Sequence, residues 1–275
     1  MPSLPAARRP RIRLRRVLFV VLLAILATQV AWYGRIGLIW FAQIHRATPV
    51  FDPPVLAGQG IPFCSGGVYA RAGDGRLVLT TTGHCLSEGE AVRTGDGRDL
   101  GTASAPSRWA ALCDRPGKNR CTASDMAVIY LAPAMIPWGH LNWVDLGAGG
   151  YRVIAPGTAA LSCDQVAAGD PVEFDGRSLF RTGVVIEKGS NDFPQDGTYI
   201  PCIVATNISA AGGDSGGVVL VRGVPAGVAA RVFGADNDLA FSPLAEGLAE
   251  LGLTLCDTPD CGLVPPAYGA PSQVP

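Results

Sequence analysis

The chain has 275 residues, 48% of them hydrophobic and 16% charged, with 35 Gly, 22 Pro and 8 Cys. That length is ample for one large domain or two small ones, and so apolar and weakly charged a composition excludes a disordered chain despite the Gly and Pro. The net charge of −1 is a cancellation: residues 1–46 carry eight Arg and no acid, whereas residues 47–275 carry 14 basic and 23 acidic side chains, a balance of −9. An acidic body lacks the basic face of a nucleic-acid binder, so no nucleic-acid partner is expected.

Six Arg (Arg8, Arg9, Arg11, Arg13, Arg15 and Arg16) make residues 1–16 a basic cytoplasmic segment. Val17 to Tyr33 is then an uncharged run of seventeen residues, which at about 1.5 Å per residue is the lower limit for crossing a hydrocarbon core. Arg35 interrupts it, but Ile36 to Ala42 resumes the apolar pattern, and a long Arg side chain snorkels to the interface. Trp32, Tyr33 and Trp40 suit the headgroup region. These features predict one N-terminal transmembrane signal-anchor over 17–42, in a single-pass protein of the cell membrane. The positive-inside rule then places the rest of the chain outside the cytoplasm. No small-x-small site directly follows the apolar run, which favours an anchor over a cleaved signal; cleavage would make the protein secreted. Residues 43–60, with Pro49, Pro53 and Pro54, read as an extended linker.

All eight cysteines follow the span, and an even count on the exported side reads as disulfides. With no Cys-x-x-Cys pair and three His in all, no metal is expected. Eight cysteines allow 105 pairings. The body alternates β-rich runs with Gly, Pro and Asp; examples begin at Gly67, Leu77, Met126, Tyr151, Gly183, Tyr199, Val218 and Gly227. Such spacing indicates an all-β sandwich or barrel. One short helix is expected near the end, with Ser242 as its cap, Pro243 at its first position and Leu244, Leu248 and Leu251 on one face.

Three segments carry chemistry: Thr82-Gly83-His84-Cys85 at the end of an apolar run, Ser124-Asp125-Met126-Ala127 opening another, and Gly213-Asp214-Ser215-Gly216-Gly217. Singly, each is an ordinary turn or surface feature. Together, in the order His, Asp, Ser, they match a nucleophilic triad. On these residues the chain resembles the chymotrypsin-like (trypsin-like) serine proteases. It is most similar to the compact secreted bacterial type, whose C-terminal end resembles Leu239-Ala240-Phe241-Ser242-Pro243-Leu244.

The resemblance covers roughly residues 61–256 and implies two antiparallel six-stranded β-barrels with the short C-terminal helix. The first barrel would span about 61–145 and the second about 150–256, followed by a Pro/Gly-rich tail, 257–275. It implies a serine endopeptidase that hydrolyses peptide bonds through an acyl-enzyme and needs no cofactor. His84 would be the general base, Asp125 its orienting acid and Ser215 the nucleophile. The backbone N–H groups of Gly213 and Ser215 would form the oxyanion hole. A Cys64–Cys85 bridge is expected from the family, and Cys113–Cys121, Cys163–Cys202 and Cys256–Cys261 from proximity and likeness.

The chain also departs from the family pattern. Ala230 stands where the family has a Ser near the catalytic Asp, and Arg231 and Val232 replace small residues of the wall along which substrate pairs. Ser209, six residues before the serine, replaces the acid of trypsin-like enzymes and points to small or apolar side chains in the substrate pocket. No cleavable activation start precedes the domain, so Asp214 needs an internal partner, with Arg177 and Arg181 as candidates. The narrowed wall keeps open a protease-fold binding or sensor protein with little turnover, and the same triad serves an esterase.

Overall fold

The computed structural model describes residues 21–30, 57, 60–61, 64–94, 97–104, 120–147, 150–177, 180–193, 198–233 and 238–264. The chain divides into two compact units, 1–47 and 48–275. In the first, residues 21–30 are helical, with Val21, Leu22, Leu23, Ile25, Leu26 and Val30 exposed. Among the described residues no helix is long and apolar enough to cross a membrane; the remainder of the expected span, 17–20 and 31–42, lies outside them.

The second unit is built from strands. In chain order they are β1 (Gly60–Ile61), β2 (Cys64–Ser65), β3 (Tyr69–Ala72), β4 (Leu77–Thr82), β5 (Ala91–Arg93), β6 (Asp99–Ser104), β7 (Arg120–Cys121), β8 (Met126–Leu131) and β9 (Trp143–Asp145). There follow β10 (Tyr151–Val153), β11 (Pro171–Asp175), β12 (Arg181–Phe193), β13 (Thr198–Ser209), β14 (Val218–Val221), β15 (Val224–Phe233) and β16 (Asp238–Pro243). A helix, Leu244–Glu250, and β17 (Leu253–Leu255) complete the order.

Two sheets dominate. The first runs β17-β3-β4-β8-β6-β5, and the second runs β12-β11-β14-β15-β16-β13 and closes on itself through the β12–β13 pairing. Two antiparallel six-stranded barrels were expected, and the second sheet is one, every pairing around its ring being antiparallel; the first is the correction. Only the second sheet closes into a barrel among the described residues; the outer strands of the first, β5 and β17, have three residues each, about 10 Å of edge, and pair with one neighbour apiece. A seventh strand, β7, lies outside the ring and runs parallel to β13 through Thr198–Arg120 and Tyr199–Cys121.

Apolar side chains explain both sheets. Every residue of β4 is buried, and Leu79, Ile129, Met126 and Leu100 fill a core that also takes Leu244 and Leu248 from the helix. Phe174, Val204, Val219, Val221 and Phe241 fill the closed barrel. Disulfides join Cys64–Cys85, Cys163–Cys202 and Cys256–Cys261. The expected Cys113–Cys121 pair lies outside the described residues, Cys121 being placed only by its backbone.

Candidate active site

His84 sits on a single 3-10 turn, Gly83–Cys85, at the end of β4. The preceding Thr80 and Thr81 are fully buried, and their hydroxyls are spent on backbone: Thr80 accepts from Val68 N–H (2.8 Å) and Thr81 donates to Ser65 O (2.9 Å). Because Thr82 pairs with Met126 across β4 and β8, Asp125 falls beside the turn, and Gly83 N–H donates to its carbonyl at 3.2 Å. Its carboxylate is 2.5 Å from His84 Nδ1. The Asp125 side chain is 5% exposed and that of His84 33%, so the acid is sealed while the imidazole faces the opening. A carboxylate on Nδ1 fixes the tautomer that leaves Nε2 free to take a proton.

Asp125 is held from the other sheet. Ser242 Oγ accepts the Asp125 N–H at 2.9 Å. Ser242 is therefore not the helix cap: β16 continues to Pro243, the helix begins at Leu244, and no side chain caps it. From the end of that helix Glu250 Oε2 accepts both Thr122 Oγ1 (2.8 Å) and Ala123 N–H (3.1 Å), fixing the segment that leads into Asp125.

The Ser215 turn is shaped by glycine. Gly216 has φ +88°, and a Cβ there would lie 2.2 Å from Ser65 O and 2.3 Å from Thr81 Oγ1, so no side chain fits. Ser215 O accepts Ser65 N–H at 2.7 Å, and Gly216 N–H donates to Ala229 O at 2.7 Å. Ser215 is thus pinned between β2 and β15, with Cys85 Sγ, next in sequence to His84, 4.0 Å from its carbonyl oxygen. The N–H groups of Gly213 and Ser215 have no protein acceptor among the described residues. Two such free donors on one turn suit a developing oxyanion.

Asp214, 1% exposed, accepts Ala211 N–H at 2.8 Å, and Arg181 Nη1 lies 3.7 Å from its carboxylate and also donates to Ser209 O. Arg177, the other candidate partner, donates its backbone N–H to Ser65 Oγ at 2.7 Å. Behind the turn, Asp175 is buried, and its carboxyl is pushed up to about 8 by burial first and then by Asp145 and Asp214. The sequence offered no signal for it beyond an acid at the end of an apolar strand.

The expected pocket residues fall on two strands, β13 and β15, on either side of β16. Ser209 pairs with Asp238 and Arg231 with Ala240. Ala230 occupies the bulge between Ala229 and Arg231 and packs with Ile200, Ile203 and Ala240. Arg231 is half-buried and Val232 is 43% exposed. A separate pocket of about 190 Å³ opens beside the Cys64–Cys85 bridge, lined by Ile61, Leu86 and Val92 with Glu90 and Arg93. No cluster of metal-ligating side chains occurs among the described residues.

Known structures share this arrangement of sheets. Thermobifida fusca protease A is 25% identical, with a TM-score of 0.55 over 74% of this chain and 98% of that one. A glutamic-acid-specific serine protease that uses a histidine triad in substrate binding matches at 21% identity and TM-score 0.56, over 73% of this chain and 100% of its own. The fold is that of the bacterial chymotrypsin-like serine proteases. A Cellulomonas bogoriensis chymotrypsin shares it at 22% identity and TM-score 0.54, over 74% of this chain and 100% of that one. No family profile matches the chain, and no curated protein matches it in sequence.

Proposed function

We propose that this protein is a serine endopeptidase acting outside the cytoplasm and tethered to the membrane by residues 17–42. The observation that carries the reading is the 2.5 Å contact of His84 Nδ1 with the sealed Asp125 carboxylate, beside a serine turn with two free N–H donors. His84 Nε2 takes the proton of Ser215 Oγ as that oxygen attacks the peptide carbonyl. The Gly213 and Ser215 N–H groups receive the oxyanion, and His84 returns the proton to the leaving amine. Water then enters by the same route in reverse and releases the acyl group from Ser215. Asp125 holds the ring through Nδ1 and stabilises the imidazolium.

Substrate runs as an added strand along Ala230–Val232, where β15 pairs with β16 on one side and β14 no longer covers the other. Small or apolar side chains suit a wall bounded by Ser209, Ala230, Arg231 and Val232, where Ala230 packs onto the buried apolar cluster of Ile200, Ile203 and Ala240. The glutamic-acid-specific protease binds substrate with a histidine triad; this chain has three His in all and one of them is paired with Asp125, so the two that remain cannot make up such a triad. The disulfides suit an oxidising compartment.

A fluorophosphonate probe on the oxidised full chain tests the activity, with Ser215→Ala as control. Labelling that depends on Ser215 is expected, and its absence in folded protein refutes the enzyme reading. A second reading, a binding or sensor protein, draws on Arg231 and the exposed Val232 on the substrate wall; it predicts peptide capture without Ser215-dependent labelling. Carbonate-resistant membrane association of chains retaining residue 1 supports the tether, and a mature chain starting near residue 32 removes it.

A further inference from the structure

Ser65 is fully buried in β2 and meets the serine turn through both its backbone and its side chain. Its N–H donates to Ser215 O at 2.7 Å, and its Oγ lies 2.9 Å from Gly213 O. The same Oγ accepts the Arg177 N–H at 2.7 Å. A backbone N–H can only donate, so the single hydroxyl proton of Ser65 is directed to the Gly213 carbonyl.

Ser65 is itself held firmly. Thr81 Oγ1 donates to its carbonyl at 2.9 Å, Gly60 pairs with it across β1 and β2, and Cys64 before it is bridged to Cys85. One anchored residue therefore grips the carbonyls of both residues whose N–H groups face the oxyanion. Gly213 needs that grip, because it sits at φ +96° and has no Cβ to limit its rotation. A donor lowers a barrier only if it is already aimed when charge develops.

The geometry points to Ser65 as a positioning residue for the oxyanion turn: its hydroxyl holds the Gly213 carbonyl, and so the 213–214 peptide that links the Gly213 and Ser215 N–H groups and supports their aim. The assignment rests on the protease reading above. The Arg177 backbone completes the relay, and its side chain backs the turn, since a Cβ on Gly213 would lie 2.9 Å from Arg177 Cδ.

The test compares wild type, Ser65→Ala and Ser65→Thr as full chains, by the rate of fluorophosphonate labelling at Ser215 from pH 5 to 9 and by thermal unfolding. Ser65→Ala keeps the backbone bond to Ser215 and loses only the hydroxyl. Its labelling is expected to slow about 10–100-fold, less than the ~10²–10³ typical for removing an oxyanion donor outright. The pH midpoint, which reports His84, is expected to stay where it is, and Ser65→Thr, which keeps the hydroxyl, to restore most of the rate. Labelling of Ser65→Ala at the wild-type rate overturns the assignment. So does a slowed rate with a displaced pH midpoint, which moves the effect to His84 and Asp125, or a failure of both variants to fold, which makes Ser65 structural. A wild-type chain that never labels at Ser215 defeats the protease reading itself.

Discussion

Ser242 Oγ accepts the backbone N–H of Asp125 at 2.9 Å, so a residue of the closed barrel fixes the acid of the other sheet. Ala230 stands where the resemblance leads one to expect a serine near that acid, and Ser242 approaches the acid from the next strand, at its backbone. Replacing Ser242 by Ala strands a buried N–H, at a cost of about 1–3 kcal/mol. Urea unfolding should show that loss, and fluorophosphonate labelling should slow as well, because a tilted Asp125 no longer orients His84. Unchanged stability and rate would exclude a role for the contact.

Arg181 is the counter-charge of the serine turn. Its guanidinium lies 3.7 Å from the Asp214 carboxylate, and the two side chains are 28% and 2% exposed. Removing it leaves a sealed carboxylate supported by the Ala211 N–H. Arg181→Ala is expected to slow Ser215 labelling at least tenfold, with a stability loss below the ~3–5 kcal/mol of a fully buried pair, because Arg181 is partly solvated. Arg181→Lys keeps the charge and should fall between. A wild-type labelling rate in Arg181→Ala would return the search to Arg177.

Asp175 makes stability depend on pH. Its folded-state value, pushed up to about 8, exceeds the ordinary carboxylate value near 3.9, so the folded protein holds a proton that the unfolded chain has released. The contribution is fully present below about pH 4 and is lost as pH rises through about 8. Urea midpoints measured from pH 5 to 8.5 should therefore fall more steeply for wild type than for Asp175→Asn. Parallel profiles would show that Asp175 is ionised in the fold.

The Cys163–Cys202 bridge closes a span of 39 residues, for which loop-closure entropy gives about 4 kcal/mol. Replacing both by Ala should lower the unfolding midpoint and leave labelling at 25 °C within about threefold, since Cys202 lies in the core of the closed barrel and Cys163 packs against it. Loss of labelling in folded protein would tie this bridge to the site.

The site was legible because its chemistry needs fixed residue types in short runs: Gly-His-Cys, Ser-Asp, and Gly-Asp-Ser-Gly-Gly. Its supports were not, because they depend on register between distant strands. Ser242-Pro243 carries the signature of a helix start, yet β16 overrides it through pairing with β15 at Val228. Ser65 is a small residue beside a cysteine, and only the approach of residues 213–215, about 150 positions away, gives its hydroxyl a task. Glu250 reads as the solvated face of a helix until Thr122 is seen beneath it. In the fold, the strand alternation was readable, whereas which sheet closes among the described residues, and the parallel β7–β13 pair, depend on strand pairing that composition does not encode.

β17 joins the first sheet beside β3, pairing Leu253–Leu255 with Ala70–Ala72, although the whole second sheet intervenes in sequence. During synthesis, therefore, β3 waits as a bare edge until one of the last segments of the chain arrives. The His84–Asp125 half reaches its final packing only after the Ser215 half exists, and a chain stopped short of residue 253 leaves both unfinished. On the proposed function, such an order of assembly withholds a finished site until residues 253–255 are in place.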